Sequence, residues 1–135
     1  MVSRWFKYLA LLILPVSSAA FPESEPDAEY VSLVTLIANA KQFDGRLVSV
    51  AGYMNLEWEN SALFLHETDR EFMFTKNAIW VTVPPEKRKY YRSLSHRYGI
   101  VRGVFHADQC GHMCLYSGSI DLARVNLSFK PAKQK

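Results

Sequence analysis

With 135 residues, the chain has room for one ordinary domain, and its 16 Lys and Arg against 13 Asp and Glu leave a net charge of only +3. Two of the basic residues, Arg4 and Lys7, fall in the first seven positions, so 14 basic residues face 13 acidic ones over the rest. So balanced a chain gives no general case for binding nucleic acid or an anionic membrane.

Arg4 and Lys7 precede an apolar run at residues 8–16, followed by the small residues Ser17, Ser18, Ala19 and Ala20. A basic start, a short apolar core and paired small residues before a cut form a cleaved secretory signal. Ser18 and Ala20 suit cleavage before Phe21, and Ser17 and Ala19 suit it one residue earlier. The apolar run is shorter than the about 20 residues that span a bilayer, and no cysteine stands near the cut to carry a lipid. The expectation is a signal peptide at residues 1–20 and an exported product, periplasmic or secreted. No transmembrane segment is expected after signal removal.

Residues 21–30 hold two prolines and four acidic residues and read as an acidic leader. Asp27 is placed to cap a short helix, in which Leu33, Leu36, Ile37 and Ala40 recur on one face. Asp44-Gly45 turns the chain out of that helix. Short β-rich runs follow. Residues 47–54 put Val48 and Val50 on one face and Leu47, Ser49 and Tyr53 on the other. Residues 57–61 read as a polar turn, residues 62–66 as a second strand and residues 79–83 as a third. Pro84-Pro85 ends that strand because proline has no N–H for a ladder. Residues 86–97 form a charged and aromatic helical connector, and residues 98–106 and 119–129 supply two more strands. Gly52 and Gly103 interrupt valine-rich strands where a closing barrel must bend.

Five strands with a helical connector between the third and fourth predict a mainly β domain, a small OB-like Greek-key barrel over residues 31–129. A polar tail follows at residues 130–135. The segment LIANAKQFDGRLVSVAGYM resembles the start of small exported bacterial OB-fold-like proteins: a short helix, an Asp/Asn-Gly turn, then V-x-V-x-G-aromatic. The resemblance covers residues 33–53, and only strand order beyond them. It implies a fold and an exported location; it implies no catalytic activity and hands over no residue role.

Cys110 and Cys114 are the only cysteines. In an oxidising compartment so close a pair forms a disulfide. The alternative is a metal site of His106, Cys110, His112 and Cys114, whose donor types suit zinc or copper. The C-x-x-x-C spacing is one residue too long for a redox-active dithiol. Glu57, Glu59, Glu67, Asp69 and Glu71 make an acidic cluster whose simplest role is hydration at loops and strand ends. His66 and His96 stand alone. No nucleophile elbow, phosphate-binding loop or dinucleotide fingerprint occurs, so no catalytic residue and no cofactor is assigned. Asn126-Leu127-Ser128 is a glycosylation sequon, of consequence only in a eukaryotic secretory route.

Residues 87–102 interleave cations with tyrosines, a composition that OB barrels use to hold anionic or ring-bearing ligands. The candidate ligand residues are Trp80, Lys87, Arg88, Tyr90, Tyr91, Arg92 and Arg97, with Phe64 adding a ring if it faces outward. The expected function is a non-enzymatic exported domain that binds a protein partner or a small polar, anionic or glycan ligand. Nucleic acid is disfavoured as a partner. The alternative is a metal-binding protein that uses the Cys/His loop.

Overall fold

The computed structural model describes residues 26–127. The expected signal and polar tail lie outside the described residues, as do Ser128 and Phe129, assigned above to the last strand. The elements are β1 (Glu29–Ser32), α1 (Leu33–Ala38), α2 (Ala40–Phe43), β2 (Leu47–Leu56), β3 (Ser61–Phe64), α3 (Glu67–Glu71), β4 (Ala78–Thr82), α4 (Arg88–Arg92), β5 (Arg97–His106) and β6 (Ser119–Asn126). Five of the strands close a barrel in the order β2-β3-β4-β6-β5, with β5 returning to β2. The β4–β6 pair is parallel and the others are antiparallel. That order, with a short helical connector between the third and fourth barrel strands, is the expected OB-like arrangement.

Strand alternation builds the core. Val48 and Val50 of β2, Leu63 of β3, Ile79 and Val81 of β4, Val101 and Phe105 of β5, and Ile120 of β6 are all fully buried in one cluster. Where a strand contributes two, they sit an even number of residues apart, two in β2 and β4 and four in β5, as inward-facing positions must. The stripe of α1 and α2 is also in place: Leu33 and Leu36 are buried and Ile37 and Ala40 pack beside them. Both glycines mark close approaches. A Cβ at Gly103 would stand 2.0 Å from the Asp121 carbonyl oxygen, and one at Gly52 would stand 2.6 Å from that of Phe64. Beside Gly103 the β5–β6 register slips by one residue, leaving Ala123 without a partner. Its carbonyl accepts the hydroxyl of Tyr91 from α4 at 3.1 Å, tying the connector to the barrel.

Four expectations need correction. Asp27 caps nothing: the N-cap of α1 is Ser32, whose hydroxyl accepts the Thr35 N–H at 3.0 Å. The residues just before it form β1, a sixth strand laid parallel to β2 over residues 48–51. The leader thus enters the sheet at Glu29, where an ion pair to Arg46 holds it. Glu67–Glu71, expected in loops and strand ends, forms α3. The helix of the connector also ends at Arg92, short of residue 97, where the Ser93 hydroxyl competes for the backbone of its last turn. Ser93 donates to the Tyr90 carbonyl at 2.6 Å, Ser95 accepts the Leu56 N–H at 2.7 Å, and His96 turns the chain at φ 59°.

Candidate functional site

A groove of ≈ 300 Å³ opens at one end of the barrel, between the β3–β4 strands and α4. Leu56, Ser61, Val81 and Val83 line its depth, Trp58 and Trp80 border it, and Arg88, Lys89 and Arg92 of α4 overhang it with Glu57. Strand parity explains the lining. Ala62 pairs with Trp80 and Leu63 with Ile79, so Ser61 shares the inward parity of Leu63, and Val81 that of Ile79. Ser61 is 6 % exposed, and its hydroxyl has no hydrogen-bond partner. A buried hydroxyl left unpaired costs about 1–3 kcal/mol.

Charge in the groove is unevenly compensated. Arg92 lies 2.8 Å from Glu57, which also receives His96 at 3.1 Å, so this acid is shared between two partners. Arg88 instead stacks over the Trp58 ring, 4.4 Å from its centroid. Neither Arg88 nor Lys89 makes an ion pair among the described residues. The groove mouth therefore carries two cations with no carboxylate against them.

Of the residues singled out in the sequence, Trp80, Arg88 and Arg92 meet in this groove. Tyr91 does not: its ring is buried in the core. Burial pushes its phenol up from the ordinary value, with the neighbouring Tyr90 adding to the shift. Tyr90 is exposed, packs edge-on against Tyr91 at 5.1 Å and does not line the groove. Lys87 ends the 3₁₀ turn before α4 and Arg97 opens β5 opposite Met54; neither lines the groove. The sequence reading missed Trp58 and Ser61, and it counted Lys89 in the basic segment without making it a candidate ligand residue. Trp58 was hidden as a single ring in a polar turn, although that turn joins the first two barrel strands, where OB-like folds hold ligands.

The outer face of β3 and β4 is closed. Phe64 does face outward from the barrel, but the loop between β5 and β6 covers it completely. Tyr116 from that loop packs against Phe64 at 6.4 Å and Trp80 at 5.4 Å, and its hydroxyl donates to Asn60. Gly111, at φ 64°, lies so close that a Cβ there would meet Trp80 at 2.6 Å. Ser117 N–H donates to the Ala78 carbonyl at 3.0 Å and continues the seal into the β4–β6 pairing.

Cys110 and Cys114 form a disulfide within this loop. The alternative metal site accordingly loses both thiolates. His106 is engaged by Asp121 at 2.8 Å, His112 lines a separate hollow with Trp58, Glu59 and Trp80, and no cluster of three metal-binding side chains exists among the described residues. The acidic residues also have local work. Glu67 accepts the Tyr53 hydroxyl at 3.0 Å, while Asp69 accepts the His66 N–H and the Asn77 amide, each at 3.0 Å.

The fold and site define a closed OB-like barrel with one outer face sealed and one cationic groove open. The chain matches no protein-family model, no curated protein and no solved structure.

Proposed function

We propose that this protein is an exported, non-catalytic binding module that holds a small anionic ligand in the groove between β3–β4 and α4. One observation carries the reading: Arg88 and Lys89 overhang a concave, partly apolar site and neither is ion-paired among the described residues, the Glu57 carboxylate beside them being engaged by Arg92 and His96. Small-ligand sites have this composition, mostly apolar walls with a few polar groups that fix orientation. Export is supported by the signal pattern of residues 1–20 and by the disulfide, a bond that persists in oxidising compartments. No helix among the described residues is long and apolar enough to cross a membrane. The likeness of residues 33–53 to small exported bacterial OB-fold-like proteins points the same way.

Trp58 and Trp80 border the groove, so their emission reports occupancy. Titration with acetate, inorganic phosphate, benzoate and glucuronate should give a saturable change for at least one anion. The affinity should weaken from ~20 mM to ~150 mM salt, as the screening length shortens. Arg88→Gln plus Lys89→Gln should abolish it. No saturable change across the panel, or equal affinity in the double variant, removes the proposal.

A further inference from the structure

We infer that this protein pairs with a second copy of itself, the Phe72–Phe74 loop of each copy entering an apolar hollow beside α1 of the other. The inference goes beyond the groove and shares no residue with its lining. Its starting point is Phe72, Met73 and Phe74, consecutive apolar residues that are 65 %, 47 % and 53 % exposed. A run of large apolar side chains turned to water marks a surface that another surface covers. The loop presents them in a fixed shape. The Phe72 N–H donates to the Thr68 carbonyl at 3.0 Å, and the Phe74 N–H to that of Asp69 at 2.8 Å. Between them Met73 holds φ 55°, a left-handed conformation that a methionine adopts only under constraint. The two phenyl rings stack at 5.8 Å.

The receiving site lies just along the chain. Val34, Ile37 and Ala38 of α1 line a hollow of ≈ 220 Å³ with Leu65, Lys76 and Asn77. That volume equals the share of about seven water molecules, as many heavy atoms as one phenylalanine side chain carries. Lys76 belongs to the hollow and follows Phe74 closely in the chain, so loop and hollow are neighbours. A two-fold axis lets both copies insert and both receive, which closes the pair with no open end. Charge is complementary in the same arrangement. Glu71 precedes Phe72, Lys76 borders the hollow, and neither makes an ion pair among the described residues. Each Glu71 thus arrives beside Lys76 of the second copy. An anionic lipid surface fits the loop less well, because the exposed Glu67 and Glu71 of α3 would meet it with the rings.

Sedimentation equilibrium of the exported protein over about 1–1,000 µM, the span of weak interfaces, should show one chain becoming two. Phe72→Ser plus Phe74→Ser removes the inserting rings, and Val34→Arg plus Ala38→Arg fills the hollow. Each double variant should weaken pairing at least about tenfold. All four positions are exposed, so thermal unfolding at the lowest concentration should match wild type. Mixing the two variants is the decisive step. Neither pairs with itself, but the intact loop of the second fits the intact hollow of the first, so the mixture should regain part of the lost association. A merely structural role at either place would give no such recovery. Wild type that stays single at every concentration overturns the inference, as does pairing that survives either variant or a mixture that recovers nothing. Anion binding in the groove is measured on the same variants, so the two proposals stand or fall separately.

Discussion

The two sides of Trp80 show how one barrel closes one surface and leaves another open. On the outer face, the β5–β6 loop brings a glycine against the indole and a tyrosine against Phe64, and pins both through backbone hydrogen bonds. Small and flat groups let the chain come close enough to exclude water. Toward α4, the neighbours are Arg88, Lys89 and Arg92, long side chains whose charged heads stay hydrated while their stems border apolar surface. Such residues overhang a surface without sealing it. Surface closed by backbone contributes to stability; surface bordered by long cations stays available to a ligand.

The sharpest way to break this contrast is to truncate one ring on each side. Tyr116→Ala should cost about 3 kcal/mol, as removal of a buried aromatic ring does. Trp58→Ala should change stability by no more than about 0.5 kcal/mol, since the ring is 71 % exposed. Urea denaturation of both variants gives the comparison, and similar losses would mean that Trp58 is as structural as Tyr116. A smaller effect is expected from Cys110→Ala plus Cys114→Ala. A cross-link closing so short a loop restricts the unfolded chain by about 2 kcal/mol. Hydrogen exchange localises the change: the Tyr116 and Ser117 amides, bonded to Cys110 and Ala78 carbonyls at 3.1 and 3.0 Å, should lose protection. Unchanged protection at both would assign the seal to the β4–β6 pairing alone.

Legibility in the sequence followed the number of buried residues an element repeats. β2 repeats Val48 and Val50 at period two, β5 buries Val101, Gly103 and Phe105 at the same period, and the barrel could be read from them. β1 buries only Val31, and one buried residue carries no period. In the connector, composition was visible but direction was not. Tyr90 and Tyr91 are adjacent, yet one is exposed and the other fills the core, a division set by a helix too short to display its stripe. Ser61 was hidden by parity. With the strand begun at Ala62, the serine belongs to a turn; one residue of extension makes it an inward position at the groove.

The subtlest difference between the two sides lies in alkaline titration. Burial alone raises the Tyr116 phenol from its ordinary value of 10.0. A raised folded-state value means that the unfolded chain loses this proton first as pH climbs past 10.0. The phenol's contribution is therefore whole below that pH and is lost as pH rises toward the folded value, with a slope of up to about 1.4 kcal/mol per unit. Tyr116→Phe removes both this titration and the hydrogen bond to Asn60. At neutral pH the variant should be about 1 kcal/mol less stable, the net worth of one hydrogen bond. Above pH 10 the wild type should fall faster and the two stability curves converge. Parallel curves for wild type and Tyr116→Phe would mean that the phenol reaches solvent in the folded protein, and the outer face would then have to be counted as open.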